Sequence, residues 1–211
     1  MYRFLTCCIF GVLLAAPAKP QSLEMGISGG FGSQNGDNLS VSEFFDADSG
    51  LPATGSVSIS DGVRIGGRMA FNPRAFFGHE VSYAYQHGGL EIFEGSEGTN
   101  ETITYVVRAH HMYYNFVVHA LPTGTTVRPF ATGGGGFSSF FPPGASTFSG
   151  GGDTKFGYNY GGGIKFNLFK YGVRFDVRNH ITGKPFGRYF PGVEGKLNNL
   201  EISVTFSVLF S

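Results

Sequence analysis

The chain has 211 residues, 15 Lys+Arg against 15 Asp+Glu, and a charged share of 14%, well under the usual ~25%. That balance lacks the Lys/Arg excess of a nucleic-acid-binding face, and 23 Phe with 10 Tyr supply too much apolar surface for a disordered chain. The 34 glycines follow no collagen period, and the length asks for one domain.

Met1-Tyr2-Arg3 opens the chain, an apolar run follows from Phe4 to Ala16, and Ala16-Pro17-Ala18 precedes Lys19. A positive start, a 13-residue apolar run and a small-x-small site form a secretory signal layout. The run is shorter than the roughly 20 residues of a spanning helix, which disfavours a membrane anchor. Both cysteines, Cys7 and Cys8, lie inside it, whereas a lipoprotein would carry its cysteine at the cleavage point. The expectation is a cleavable signal peptide over 1–18 and a β-barrel domain over 19–211. The mature chain is then cysteine-free, so no disulfide scaffold supports it.

Beyond the signal the repeating feature is two-residue alternation, the period of a strand with two unlike faces. Leu23 to Ser33 sets Met25, Ile27 and Phe31 against Glu24 and Ser28. Gly62 to Phe71 sets Val63, Ile65, Met69 and Phe71 against Arg64 and Arg68. Phe77 to His87 sets Val81, Tyr83 and Tyr85 against Glu80 and Ser82. Thr102 to Leu121 is long for one strand; its second half sets Met112, Tyr114, Phe116 and Val118 against Tyr113, Asn115 and His119, and its first half is expected to project beyond a bilayer. Val127 to Phe140 is taken as a strand although Gly133 to Gly136 erase its pattern; glycine weakens a strand but permits the curvature of a narrow barrel. Phe156 to Leu168 sets Tyr158, Tyr160, Ile164, Phe166 and Leu168 against Asn159, Lys165 and Asn167. Tyr171 to Thr182 sets Val173, Phe175 and Val177 against Arg174, Asp176, Arg178 and His180. The closing strand sets Ile202, Val204, Phe206, Val208 and Phe210 against Glu201, Ser203, Thr205 and Ser207.

The connections organise these eight segments. Asn72-Pro73-Arg74, Pro122-Thr123-Gly124-Thr125 and Phe169-Lys170 are tight turns, while 34–60, 88–101, 141–155 and 183–197 are long, polar and rich in Gly, Ser, Pro and Asp. Short and long alternate strictly. In an antiparallel array every short turn then falls at one end and every long loop at the other, the asymmetry of outer-membrane barrels. The predicted fold is all-β: a transmembrane antiparallel up-and-down β-barrel of about eight strands.

Alternation alone does not say which face points inward, since a soluble barrel of lipocalin type buries its apolar face and a membrane barrel turns it to lipid. The polar parity carries both signs, Glu24, Arg64, Arg68, Glu80, Lys165, Arg174, Asp176, Arg178 and Glu201, while Tyr and Phe crowd the apolar parity near strand ends. Mixed charges can pair within a small lumen and aromatics suit an interfacial girdle, which favours polar-inside. The nine residues are therefore expected to form an ionic network in the barrel interior. Eight strands enclose a space that side chains fill, so no general diffusion pore is expected.

The run Val127-Arg128-Pro129-Phe130-Ala131-Thr132-Gly133-Gly134-Gly135-Gly136, then Phe156-Gly157-Tyr158-Asn159-Tyr160-Gly161-Gly162-Gly163, then Tyr171-Gly172-Val173-Arg174-Phe175-Asp176-Val177-Arg178, resembles the small outer-membrane β-barrel family, broadly the OmpA-type transmembrane domain and OmpX-like relatives. The resemblance covers the mature chain, most strongly from residue 127 onward. It implies an integral outer-membrane location after signal-peptide export and a structural or surface-interaction role. It also implies an assembly signal on the closing strand at Phe206, Val208 and Phe210. The partners it implies are outer-membrane lipid and lipopolysaccharide and the outer-membrane assembly machinery, with the protein itself a monomer.

Other chemistry weighs less. The glycine runs precede no Gly-Lys-Ser/Thr and lie in strands, unlike a phosphate loop. His110 and His111 are adjacent on a strand, face opposite sides and cannot chelate one ion, so both are read as surface or interfacial. A lipid A-modifying enzyme or a narrow solute channel on the same barrel is the alternative function. For the enzyme, His180 in Asn179-His180-Ile181-Thr182 is the nearest candidate, yet its parity is inward. No enzyme activity, cofactor or metal is expected. Acidic residues Asp37, Glu43, Asp46, Asp48, Asp61, Glu91, Glu94, Glu97 and Glu101, with Lys184, Arg188 and Lys196, mark loops that either bind cations, lipopolysaccharide or another surface, or are simply solvated.

Overall fold

The computed structural model describes residues 22–34, 40–45, 52–96, 99–142, 151–186 and 195–210, all in strands or the links between them. The expected signal peptide lies outside these residues. The strands are β1 (Ser22–Gln34), β2 (Ser40–Phe45), β3 (Pro52–Ile59), β4 (Gly62–Asn72), β5 (Phe77–Ser96), β6 (Thr99–His119), β7 (Val127–Phe141), β8 (Asp153–Leu168), β9 (Tyr171–Gly183) and β10 (Lys196–Phe210). Their hydrogen-bonded order is β2-β3-β5-β4-β1-β10-β9-β8-β7-β6, and β5 also pairs with β6. That last ladder, from Phe77↔Val118 to Ser96↔Thr99, closes β1 and β4 through β10 into an eight-stranded antiparallel barrel.

The three short turns lie at one end, as the alternation of connection lengths predicts. Phe169 turns the chain between β8 and β9 with φ of 55°, and the Leu209 N–H donates to the Lys170 carbonyl at 2.8 Å. The other end differs from the expectation. Residues 34–60 are not only loop: β2 and β3 form a hairpin within them. Residues 88–96 and 99–101 continue β5 and β6 well above the barrel wall. β3 lies on the upper part of β5, from Thr54↔Gly95 to Ile59↔Leu90, and β4 on its lower part, from Val63↔His87 to Phe71↔His79. Between them the strand bulges at Ser60 and Asp61, where Ser60 N–H donates to Gly89 O at 2.8 Å and Gly89 N–H to Ser60 Oγ at 3.1 Å. The barrel thus carries a projecting sheet of β2, β3, β5 and β6.

Side-chain direction follows the pleat. Ile27, Ile65, Phe156, Tyr171 and Phe206 are each more than 60% exposed on the outer wall, while Glu24, Arg64, Arg68, Glu80 and Arg178 are each 8% exposed or less in the lumen. A large apolar band facing outward and charges facing inward invert the soluble-protein rule and match a wall seated in lipid.

Inward glycines make the narrow lumen possible. Gly136 stands opposite Tyr113, and Gly163 opposite Asp176 on a wall also crossed by Phe130. A methyl group at Gly136 would overlap the Met112 carbonyl, and one at Gly163 the Phe175 carbonyl. Outward Gly29 meets no atom within 4 Å. Overpacking at such sites costs about 1–3 kcal/mol. Gly136→Ala and Gly163→Ala are therefore expected to lower the urea midpoint of the refolded barrel, and Gly29→Ala to leave it within experimental scatter; equal midpoints for all three would remove the close-approach argument.

Candidate functional site

The lumen is layered along the barrel axis, and strand spacing explains how. On β9, Arg174, Asp176 and Arg178 stand two apart and so share the inner face, with the carboxylate between two guanidiniums. Asp176 Oδ1 accepts from Arg174 Nη2 and Arg178 Nη2, both at 2.8 Å, and Oδ2 from Arg68 Nη1 at 3.0 Å. Across the lumen Glu80 on β5 completes the cluster: Oε2 takes Arg174 Nη1 at 2.7 Å and Oε1 takes Arg178 Nη1 at 2.9 Å. Asn115 Nδ2 donates to Glu80 Oε1 at 3.1 Å, and Asn159 Nδ2 to Asn115 Oδ1 at 2.8 Å. The Arg174 guanidinium also stacks 3.9 Å over the Phe130 ring. Glu80, Arg174, Asp176 and Arg178 are therefore desolvated but multiply hydrogen-bonded, the condition under which buried ions persist, while Arg68 bonds through Nη1 and its Nε has no partner.

Toward the short-turn end a separate pair forms between Lys165 and Glu24, and Ser207 Oγ donates to the other Glu24 oxygen at 2.6 Å. Arg128 sits beside it and ties turns together, donating to Leu121 O at 3.2 Å and Ala75 O at 3.0 Å. Toward the projecting sheet, Glu201 accepts from Arg64 Nη2 at 3.2 Å, His180 Nε2 at 2.8 Å and Ser203 Oγ at 2.7 Å. Asn199 donates to Gln86 at 2.9 Å just above.

Above that level the lumen changes character. Ile59, Leu90, Val107, Ala109, Phe140, Phe186 and Leu197 form one buried apolar cluster over the outer mouth. Phe186 is 1% exposed, packs edge-on to Phe140 with ring centroids 6.3 Å apart, and holds φ of 69°. Its N–H donates to Asp153 Oδ2 at 2.7 Å, which anchors the strained backbone.

All nine interior residues named from the sequence lie in the lumen, in three groups rather than one: Glu24 with Lys165; Arg68, Glu80, Arg174, Asp176 and Arg178; and Arg64 with Glu201. Arg68 bridges the last two, with Nη2 4.0 Å from Glu201. Sequence reasoning missed Arg128, whose parity the glycine run hid. It also assigned His111 to the surface; the structure corrects this, since His111 is 2% exposed in the lumen, on the parity of Tyr113 and Asn115. Only His110 faces outward, where Tyr83 Oη meets its Nδ1 at 2.7 Å. Phe206, Val208 and Phe210 lie on the outer face of β10, 62%, 39% and 49% exposed.

Among the loop charges, Asp37, Asp46, Asp48, Glu97 and Arg188 lie outside the described residues, as do the side chains of Glu43, Glu94 and Glu101. Asp61 is more than a solvated loop residue: its Oδ1 accepts from the Gln34 N–H at 2.9 Å at the end of β1. Lys196 lies over the Tyr158 ring at 5.7 Å. Among the described residues no three of His, Cys, Asp and Glu converge as a metal site.

The family model described as "Outer membrane protein beta-barrel domain" matches residues 4–210. No curated protein matches the chain significantly. Among solved structures the chain is similar to the outer membrane protein OprG from Pseudomonas aeruginosa, with TM-score 0.59 and 9% identity over 92% of this chain and 97% of that one. It is also similar to Neisserial surface protein A, with TM-score 0.55 and 13% identity over 92% of this chain and all of the other. At these identities the likeness is one of fold.

Removing a single partner from the central cluster strands the rest. Asp176→Ala leaves Arg68, Arg174 and Arg178 facing one another, and is expected to lower the unfolding free energy in lipid vesicles by about 3–5 kcal/mol. Glu24→Leu combined with Lys165→Met should cost less than either change alone, because no lone charge remains. Urea unfolding of the refolded proteins measures both, and a wild-type midpoint for the Asp176 variant would show the network to be energetically idle.

Proposed function

The chain belongs to the outer membrane protein beta-barrel domain family, and from that membership we propose that it is a closed barrel of the outer membrane with a structural and surface-interaction role rather than a general diffusion pore. The observation that carries this reading is the filled lumen. Buried ion pairs occupy its middle and the apolar cluster around Phe140 and Phe186 covers its outer mouth. A solute crossing it would have to displace paired charges and then a packed aromatic cap.

On this reading residues 1–18 direct export and are removed, Phe206, Val208 and Phe210 present the assembly signal on the outer face of β10, and the monomeric wall contacts outer-membrane lipid and lipopolysaccharide. The interaction surface is the projecting sheet of β2, β3, β5 and β6, where Ile103, Tyr105 and Val106 are 42%, 42% and 51% exposed. An enzymatic reading loses its main residue, because His180 faces the lumen, bonded to Glu201, with no access to lipid.

Purified protein in a planar bilayer is expected to give no steady conductance, and stepwise opening to a sustained level would sink the closed-barrel reading. Mass spectrometry of protein extracted from outer membranes should place the mature N-terminus at Lys19; an intact Met1 would refute the export step.

A further inference from the structure

The upper layer of the lumen contains a cation that the ion pairs leave half used. Arg64 is 5% exposed, and its Nη2 contacts Glu201 at 3.2 Å, but its Nε and Nη1 have no hydrogen-bond partner. Buried donors in that state carry the full cost of lost hydration. The charges around it do not cancel either. Arg64, Arg68, Arg174 and Arg178 share only Glu80, Asp176 and Glu201, four guanidiniums against three carboxylates. The middle and upper groups, joined by Arg68 Nη2 4.0 Å from Glu201, therefore hold one uncompensated positive charge between them. The other surplus cation, Arg128, is held by backbone carbonyls at the turn end.

A second donor belongs to the same layer. Tyr113 Oη lies 3.0 Å from Ser138 Oγ, and Ser138 Oγ lies 2.8 Å from His111 Nδ1. The arrangement that uses each hydroxyl proton once runs from Tyr113 to Ser138 to His111 Nδ1. It leaves the proton of neutral His111 on Nε2, and that nitrogen is buried without a partner. His180, 6.3 Å from the His111 ring, donates through Nε2 to Glu201, so in its neutral form it offers no further proton. Between Arg64 on β4 and His111 on β6 the inner wall carries small residues on the diagonal below Gln86, which stands beside Arg64. Gly66 pairs with Ala84 and Ala84 with His111, so nothing larger than a methyl group stands there.

We propose that Arg64 and His111 form a lumenal binding site for one small monovalent anion, of the size and charge of a halide, seated over Gly66 and Ala84. A water molecule would satisfy the donors but leave the surplus charge, whereas a halide answers both. A divalent oxyanion would overcompensate the single surplus charge and meet Glu201, which already occupies Arg64 Nη2.

The test is diffraction at the bromine absorption edge from the full mature barrel, refolded and crystallised in sodium bromide. The expected result is an anomalous peak within hydrogen-bond reach of both Arg64 and His111 Nε2. In parallel, the heat-modifiable transition on unboiled gels should rise in bromide or chloride relative to gluconate at equal ionic strength. Arg64→Gln should abolish peak and shift. Ala84→Val, which fills the floor without touching a charge, should abolish them too, and its unboiled migration reports independently that it has folded. A water without anomalous signal at this position, or bromide found elsewhere as an adventitious ion only, overturns the proposal.

Discussion

Closure of the β5–β6 ladder is the constraint on which the rest of the structure depends. A backbone N–H or carbonyl without a partner in hydrocarbon costs several kcal/mol, so a sheet can cross a bilayer only when its two edges meet. With eight wall strands the meeting encloses a space too small for free water and too large to leave empty. Everything inside follows from that radius. Long side chains from one wall must find a place opposite, and glycine on the facing strand provides it: Gly161 faces Arg178, Gly134 faces Asn115 and Asn159, and Gly136 faces Tyr113. Glycine abundance and buried arginine are two aspects of one packing problem.

Why the filling should be charged is a separate question. Buried ion networks are poor sources of net stability, and apolar residues of equal volume often do as well. An apolar lumen, however, would make both faces of every strand alike. The pleat would then no longer tell inside from outside, and a one-residue slip of register would cost little. With Arg174, Asp176 and Arg178 on one parity of β9 and Val173, Phe175 and Val177 on the other, a slip would drive three charges into lipid. The network is therefore better understood as a device that specifies register and face than as a reservoir of folding energy.

That device is also why so much was legible in the sequence. Wherever lipid lies on one side and the lumen on the other, alternation is enforced, and the predicted bounds of β1, β4, β7 and β9 fall within a residue or so of the observed ones. The projecting parts were not legible for the same reason. Above the bilayer water wets both faces, residues 102–106 are all exposed, and no parity is imposed. The β2–β3 hairpin and the upper reach of β5 therefore resemble polar loop, and β6 is readable as a projecting strand from Thr102 by its length rather than by parity. Within the lumen, charge type was readable from parity, but partner choice was not. Glu80 makes its shortest ion pairs with arginines of β9 across the barrel, at 2.7 and 2.9 Å, and a longer one of 3.7 Å with Arg68 on the adjacent β4, and that depends on the closed three-dimensional register. His111 was lost because the first half of that strand was expected to project beyond the bilayer, which put both faces of His110-His111 at the surface.

The wall also reverses its own rule along its length. Up to Gln86 and Asn199 the lumen is polar and the outside apolar. From the level of Gln86, where Ala109 and Phe140 stand beside it, the inward positions turn apolar and continue upward through Val107, Leu90 and Leu197, a buried apolar cluster, while the outward positions include Arg108, Ser139, Thr154 and Asn198. A polar interior is stable only where lipid already satisfies the outer face; once the wall emerges into water, the hydrophobic effect draws apolar side chains inward as in any soluble protein. The inversion level therefore marks where the hydrocarbon ends. It also explains why the cap sits where it does: Phe140 and Phe186 close the lumen at the first height at which an apolar core costs nothing outside, and the strained Phe186 backbone is held there by Asp153 on the emerging end of β8.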